Sequence, residues 1–149
     1  MNRAEVTELV LSAKRMKGLT WAEIQQTVSV STSPIVVTAA LLGQMRLEPE
    51  EAERAAKLLD LPEEAKIILT EIPYRGSLPQ VPPTDPLIYR FYELVQVYGT
   101  TWKELIQEEF GDGIMSAIDF DMTLERQPDQ KGDRVKIGMS GKFLGYRRY

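Results

Sequence analysis

Apolar residues recur at helical spacing through the first half of the chain and at every second position near its end. Val6, Leu9, Val10, Ala13 and Met16 form one stripe of an amphipathic helix, and Gly18 predicts where it stops. A second helix is predicted from Thr20-Trp21-Ala22-Glu23-Ile24, where Thr20 caps the start and Glu23 completes a capping box. Residues 33–42 predict a third, with Pro34 in its first turn and Gly43 closing it. Pro49 and Pro62 each sit just inside a further helix whose first turn is acidic, where the helix dipole favours negative charge.

The second half changes style. Residues 87–98 predict a helix capped by Asp85 or Thr84, and Thr101-Trp102-Lys103-Glu104 predicts a second capping box opening a separate helix that ends at Gly111. The period then becomes two. Ile118, Phe120, Met122 and Leu124 alternate with polar residues, and Val135, Ile137 and Met139 do so after a turn-rich stretch. A lone hairpin is marginally stable, so its expected partner is another subunit. Between the halves, Pro73, Pro79, Pro82, Pro83 and Pro86 forbid a regular helix. The expected organisation is a helical, helix-turn-helix-like domain over 1–72, a proline-rich connector over 73–85, and a second domain over 86–149. The fold class is mainly α with a small C-terminal β element.

Composition narrows the chemistry. The chain of 149 residues has no cysteine and no histidine, with 18 Lys+Arg against 22 Asp+Glu for a net charge of −4. Cysteine nucleophiles, disulfides, histidine bases, and zinc sites built on His or Cys are excluded. Carboxylates, Lys, Arg, Tyr, hydroxyls and backbone N–H groups remain. No apolar run reaches membrane-spanning length, and Met1-Asn2-Arg3-Ala4-Glu5 lacks the pattern of a signal peptide, so a cytoplasmic location is expected.

Residues 19–43 resemble a helix-turn-helix of the phage-repressor type. A DNA-reading helix needs basic or amide side chains, yet residues 31–43 hold no Lys or Arg, and Ile35, Val36 and Val37 occupy the reading positions. A compact scaffold is the expected role, with no nucleic acid partner. A helix-turn-helix regulator with a C-terminal oligomerisation module is the alternative.

The helix from Pro86 is aromatic or apolar nearly all round, which places Arg90 and Glu93, three residues apart, within reach of each other. The pair is either a structural ion pair at an oligomer interface or part of a functional site. Downstream, Gly111-Asp112-Gly113-Ile114-Met115-Ser116 reads either as a helix cap with a tight turn or as a small-anion site. In the second case the N–H groups of Gly113 and Ile114 and the Ser116 hydroxyl are the donors.

Pro83-Thr84-Asp85-Pro86, Tyr89-Arg90-Phe91-Tyr92-Glu93, Gln96-Val97-Tyr98-Gly99-Thr100-Thr101 and Phe110-Gly111-Asp112-Gly113-Ile114, with Ser116-Ala117-Ile118, resemble the cyanase family. Val37-Thr38-Ala39-Ala40-Leu41-Leu42-Gly43-Gln44 and Ile72-Pro73 with Arg75-Gly76 are similar to it as well. The resemblance implies a catalytic trio of Arg90, Glu93 and Ser116. It implies that cyanate and bicarbonate combine and that the adduct decarboxylates to carbamate, which falls apart to ammonia and carbon dioxide. This serves cyanate detoxification and nitrogen supply. It further implies a decamer, a pentamer of dimers with interlocked C-terminal strands and active sites between subunits. The expected architecture is then a repressor-like N-terminal bundle serving assembly and a C-terminal α+β dimerisation and catalytic domain. Bicarbonate is a co-substrate, and no metal or organic cofactor is expected.

The chain departs from the family in four places. Ser77 stands where members often have Cys, and Gln107 where they have His; residues 25–32 and the basic tail from Phe143 also diverge. The physical logic of the trio is independent of the resemblance. Two anions must be brought together, and an always-protonated planar guanidinium suits a dianionic adduct. Glu93 repels anions unless it orients Arg90 or is neutralised by it.

Overall fold

The computed structural model describes residues 1–149 except Ser77, Pro79 and Gln80. It divides into two compact units, Met1–Ser77 and Leu78–Tyr149.

Among its described residues the first unit has five helices: α1 (Arg3–Met16), α2 (Trp21–Val28), α3 (Pro34–Leu41), α4 (Pro49–Leu59) and α5 (Glu63–Thr70). Their limits follow the local chemistry. Asn2 with Glu5 and Thr20 with Glu23 close capping boxes at α1 and α2. Ser33 caps α3, and Pro34 and Pro49 take the first positions of α3 and α4, where the missing N–H has no helical partner to lose. Pro62 differs from the expectation. It is the N-cap of α5 and lies just outside the helix, its extended ψ of 158° leaving the first turn to Glu63 and Glu64. The core is built from one face of each helix: Val6 and Val10, Ile24 and Val28, Val37 and Leu41, Ala52 and Leu59, Ile68 and Leu69. Arg3 ties the ends together by donating to the carbonyls of Ile68 and Met45.

Residues 25–32 carry a polar network between α2 and α3. Gln25 is buried, and its amide donates to the carbonyls of Ser29 (2.8 Å) and Thr32 (3.0 Å). The Ser29 hydroxyl donates to Thr32 Oγ1, which donates to Glu51 Oε1 on α4, each at 2.8 Å. Buried polar groups without partners are costly, and this turn gives its own groups partners.

The second unit holds one long helix and a hairpin: α6 (Pro86–Phe110), β1 (Gly113–Gln127) and β2 (Arg134–Gly145). The break expected near Gly99 is absent. Thr101 and Glu104 do not open a new helix, because α6 runs through them without interruption. Gly99 costs a helix about 1 kcal/mol relative to Ala, less than the hydrogen bonds that a break would leave open, and no proline enforces one. None of the 25 residues of α6 is buried in the chain.

The strands pair antiparallel in two runs, Gly113–Met115 against Phe143–Gly145 and Phe120–Gln127 against Arg134–Gly141. Between them, residues 116–119 of β1 stand opposite the single residue Lys142, an extended β-bulge. Strand pairing therefore begins at Gly113 and not near Ile118. The tight turn expected over Gly113 and Ile114 is a stretch of ladder facing Gly145 and Leu144.

Candidate active site

α6 presents the first part of the site. Asp85 Oδ1 accepts from the N–H groups of Leu87 (2.9 Å) and Ile88 (3.0 Å), and Pro86 follows at the first helical position. One turn into this helix, Arg90 Nε meets Glu93 Oε2 at 3.2 Å. The side chains remain 61% and 44% exposed, so the pair is an open one in the single chain. On another side, the Arg90 guanidinium carbon lies 5.5 Å from the centre of the Tyr89 ring, within cation–π range. Tyr89 in turn packs against Tyr92, with ring centres 5.8 Å apart. The carboxylate engages the Nε edge, which leaves the Nη groups able to take a second anion in the planar fork that suits one.

Ser116 is set by the bulge. It is only 5% exposed, and its Oγ accepts hydrogen bonds from the N–H groups of Ile118 and Asp119, both at 3.0 Å. With both lone pairs occupied, the hydroxyl keeps its proton free to donate. Ile118, two residues on, is 97% exposed.

Gly113 and Ile114, the expected backbone donors, lie elsewhere in the pattern. A β-carbon on Gly113 would meet the Leu144 carbonyl oxygen at 2.4 Å and the Phe143 ring at 2.5 Å. The glycine therefore serves the close approach of β1 and β2, and that side is filled by protein. Phe143 also stacks on Phe110 at 5.4 Å, joining the hairpin to the end of α6.

One chain brings Arg90 and Glu93 together, and the hydrogen bonds of Ser116 run to Ile118 and Asp119 and not to that pair. Arg90 and Phe110 are twenty residues apart in α6, about 30 Å along the axis. The six residues from Phe110 to Ser116, fully extended, recover at most about 20 Å. In the first unit, a hollow of about 430 Å³ is lined by Ser29, Glu48, Glu51 and Arg54 among others, and by none of Arg90, Glu93 and Ser116. Sequence reasoning missed Tyr89, whose position beside Arg90 was visible, and the amides of Ile118 and Asp119, for which no sequence signal existed. The N-cap Ser33 and, within α3, Pro34 and Val36 are exposed, with no charge there to read DNA.

A basic–acidic pair on a helix and a hydroxyl in a bulge, in a chain without thiol or imidazole, are groups whose chemistry suits small anions. The chain belongs to the cyanate hydratase (cyanate lyase) family of enzymes: residues 3–73 match the family's "Cyanate hydratase, N-terminal" model and residues 80–148 its "Cyanate lyase C-terminal domain". Among curated proteins it is 60% identical to the cyanate hydratase of Dechloromonas aromatica and 59% identical to that of Ralstonia pickettii, over all of both chains in each case. It is also similar to the crystal structure of cyanase from T. urticae, with a TM-score of 0.77 and 39% identity. That match covers 94% of this chain and 96% of the other.

Proposed function

We propose that the chain decomposes cyanate with bicarbonate as co-substrate, through carbamate, to ammonia and carbon dioxide. It does so in the cytoplasm, where the reaction removes cyanate and supplies nitrogen. The full-length match to cyanate hydratases carries this reading, with Arg90, Glu93 and Ser116 present in the matched C-terminal region.

The chemistry balances without a further reagent. A bicarbonate oxygen bonds to the cyanate carbon and gives a dianionic adduct. The bond between that bridging oxygen and the bicarbonate carbon then breaks, releasing carbon dioxide. The bicarbonate proton and one from solvent end on nitrogen, leaving carbamate, which takes up another proton and separates into ammonia and carbon dioxide. Arg90 supplies fixed positive charge to the dianion through its fork, and Ser116 donates its proton to an adduct oxygen. Glu93 holds the guanidinium by its Nε edge. Bringing two anions into contact in a defined orientation supplies part of the acceleration. The reading needs no metal and no organic cofactor.

The site is completed between subunits. Three observations support this: Arg90 and Ser116 have separate hydrogen-bond partners in one chain, α6 has no buried residue, and large apolar side chains of the unit, such as Leu94, Leu105 and Val135, are exposed. Burial of such faces against further copies favours association, and the assembly in this reading is a decamer, a pentamer of dimers. The test is release of ammonia and carbon dioxide from cyanate, with and without bicarbonate. Turnover should require both anions, and turnover indifferent to bicarbonate depletion would refute the mechanism. Arg90→Ala and Ser116→Ala should each lower kcat by roughly 100-fold or more while solution mass is kept. Full activity in either removes that residue from the mechanism.

A further inference from the structure

Gly141 stands on β2 opposite Phe120, where the ladder resumes after the bulge. Its φ lies outside the left-handed region, so its backbone conformation does not call for glycine. Space does. A β-carbon at this position would lie 2.3 Å from the carbonyl oxygen of Ser116 and 2.6 Å from Met115 Cγ, with Phe120 Cδ2 at 3.3 Å. Met115 can move its side chain; the Ser116 carbonyl is backbone and cannot rotate away.

Gly138 on the same strand is different. Its β-carbon would meet only Thr123 Oγ1, at 2.8 Å, the tip of a rotatable side chain. The two glycines therefore separate a contact with the bulge from ordinary crowding in the ladder.

The contact bears on the hydroxyl. The Ser116 carbonyl seated on Gly141 fixes the peptide plane at which residues 116–119 leave the ladder. From that plane the chain turns back so that the N–H groups of Ile118 and Asp119 reach Ser116 Oγ at 3.0 Å. A methyl group on Gly141 pushes this carbonyl outward by about 1 Å to recover van der Waals distance, enough to break hydrogen bonds of that length. The hydroxyl then loses the acceptor contacts that aim its proton.

We propose that Gly141 is a positioning residue for the reaction: its missing β-carbon seats the Ser116 carbonyl against β2 and so holds the bulge that aims the Ser116 hydroxyl. This rests on the reading that Ser116 donates to the substrate anion, and the experiment keeps the two separable. In the full-length protein, Gly141→Ala should lower kcat at least tenfold at unchanged solution mass, and Gly138→Ala should stay within about twofold of the parent. The chain has no cysteine, so Ser116→Cys introduces a unique thiol whose titration, followed by thiolate absorbance, reports the donors around it. Adding Gly141→Ala to Ser116→Cys should raise the thiol pKa by one unit or more, and adding Gly138→Ala should leave it in place. This measurement does not depend on activity.

Full kcat in Gly141→Ala beside an inactive Ser116→Ala overturns the proposal alone. Full activity in Ser116→Ala overturns the role of Ser116 and with it the catalytic use of Gly141. An unmoved thiol titration overturns the positioning itself. Loss of assembly in Gly141→Ala together with activity overturns the proposal too, because Gly141 is then a residue of the fold.

Discussion

Glu51 accepts from the Thr32 hydroxyl at 2.8 Å and from the Glu48 N–H at 3.0 Å. Partial burial pushes its carboxyl up, but the Glu48 amide, the Thr32 and Ser29 hydroxyls and the nearby Arg54 outweigh that and hold it below the usual 4.5. A carboxyl depressed in the folded state adds stability above the unfolded value, and that stability is lost as pH falls through the folded one. Between about pH 5 and 3, the melting temperature of the parent should therefore fall more steeply than that of Glu51→Gln, measured by thermal unfolding in a pH series. Parallel slopes would remove Glu51 from the acid response. Its partners explain why this residue was illegible in the sequence: Thr32 is nineteen residues away and is presented by a turn held by the buried amide of Gln25 on α2, which no periodicity announces. Arg90 and Glu93 were legible because three residues on a helix fix their separation. Ser116 was legible as a residue through the family resemblance. Its two amide donors were not, since they exist only after four residues of one strand are set against one of the other.

α6 begins at an N-cap that local rules could read. Asp85 satisfies two of the N–H groups that a helix start leaves open, and Pro86 needs none. Asp85→Ala should therefore lower stability by about 1 kcal/mol, read as a lower urea midpoint at unchanged slope. An unaltered midpoint would mean that the cap is dispensable once the helix is packed. Local end signals succeeded at the stop of α1 and at the starts of α2, α3 and α4, and failed at Thr101, where the motif occurs inside a helix that runs on to Phe110. A capping box stabilises an end where one exists; it does not cut a chain whose flanking turns are already hydrogen-bonded. In the hairpin, alternation found the strands but placed the first one late. Residues 113–115 pair before the bulge, and the bulge shifts the in-and-out phase that a period of two relies on.

The two units differ in what they can do alone. The first encloses a core of fully buried aliphatic side chains, among them Val10, Ile24, Leu41 and Leu59. The second has a long helix with no buried residue and exposes Leu87, Leu94, Leu105, Ile118 and Val135. Two strands and a helix face of this kind do not close a core by themselves. The all-round apolar character of residues 86–98 signalled this in the sequence; in the proposed decamer further copies cover these faces. In the proposed decamer, a charge placed on the exposed face of α6 acts on the assembly before it acts on the fold. Leu94→Glu should reduce the solution mass measured by sedimentation and abolish cyanate turnover. Far-UV circular dichroism should keep the helical signal of the first unit, whose core the change does not touch. Burying an unpaired carboxylate between subunits is costly enough to split such an interface. An unchanged mass with full turnover would show that this face of α6 is open to solvent in the working enzyme, and the site would then have to be completed from another surface.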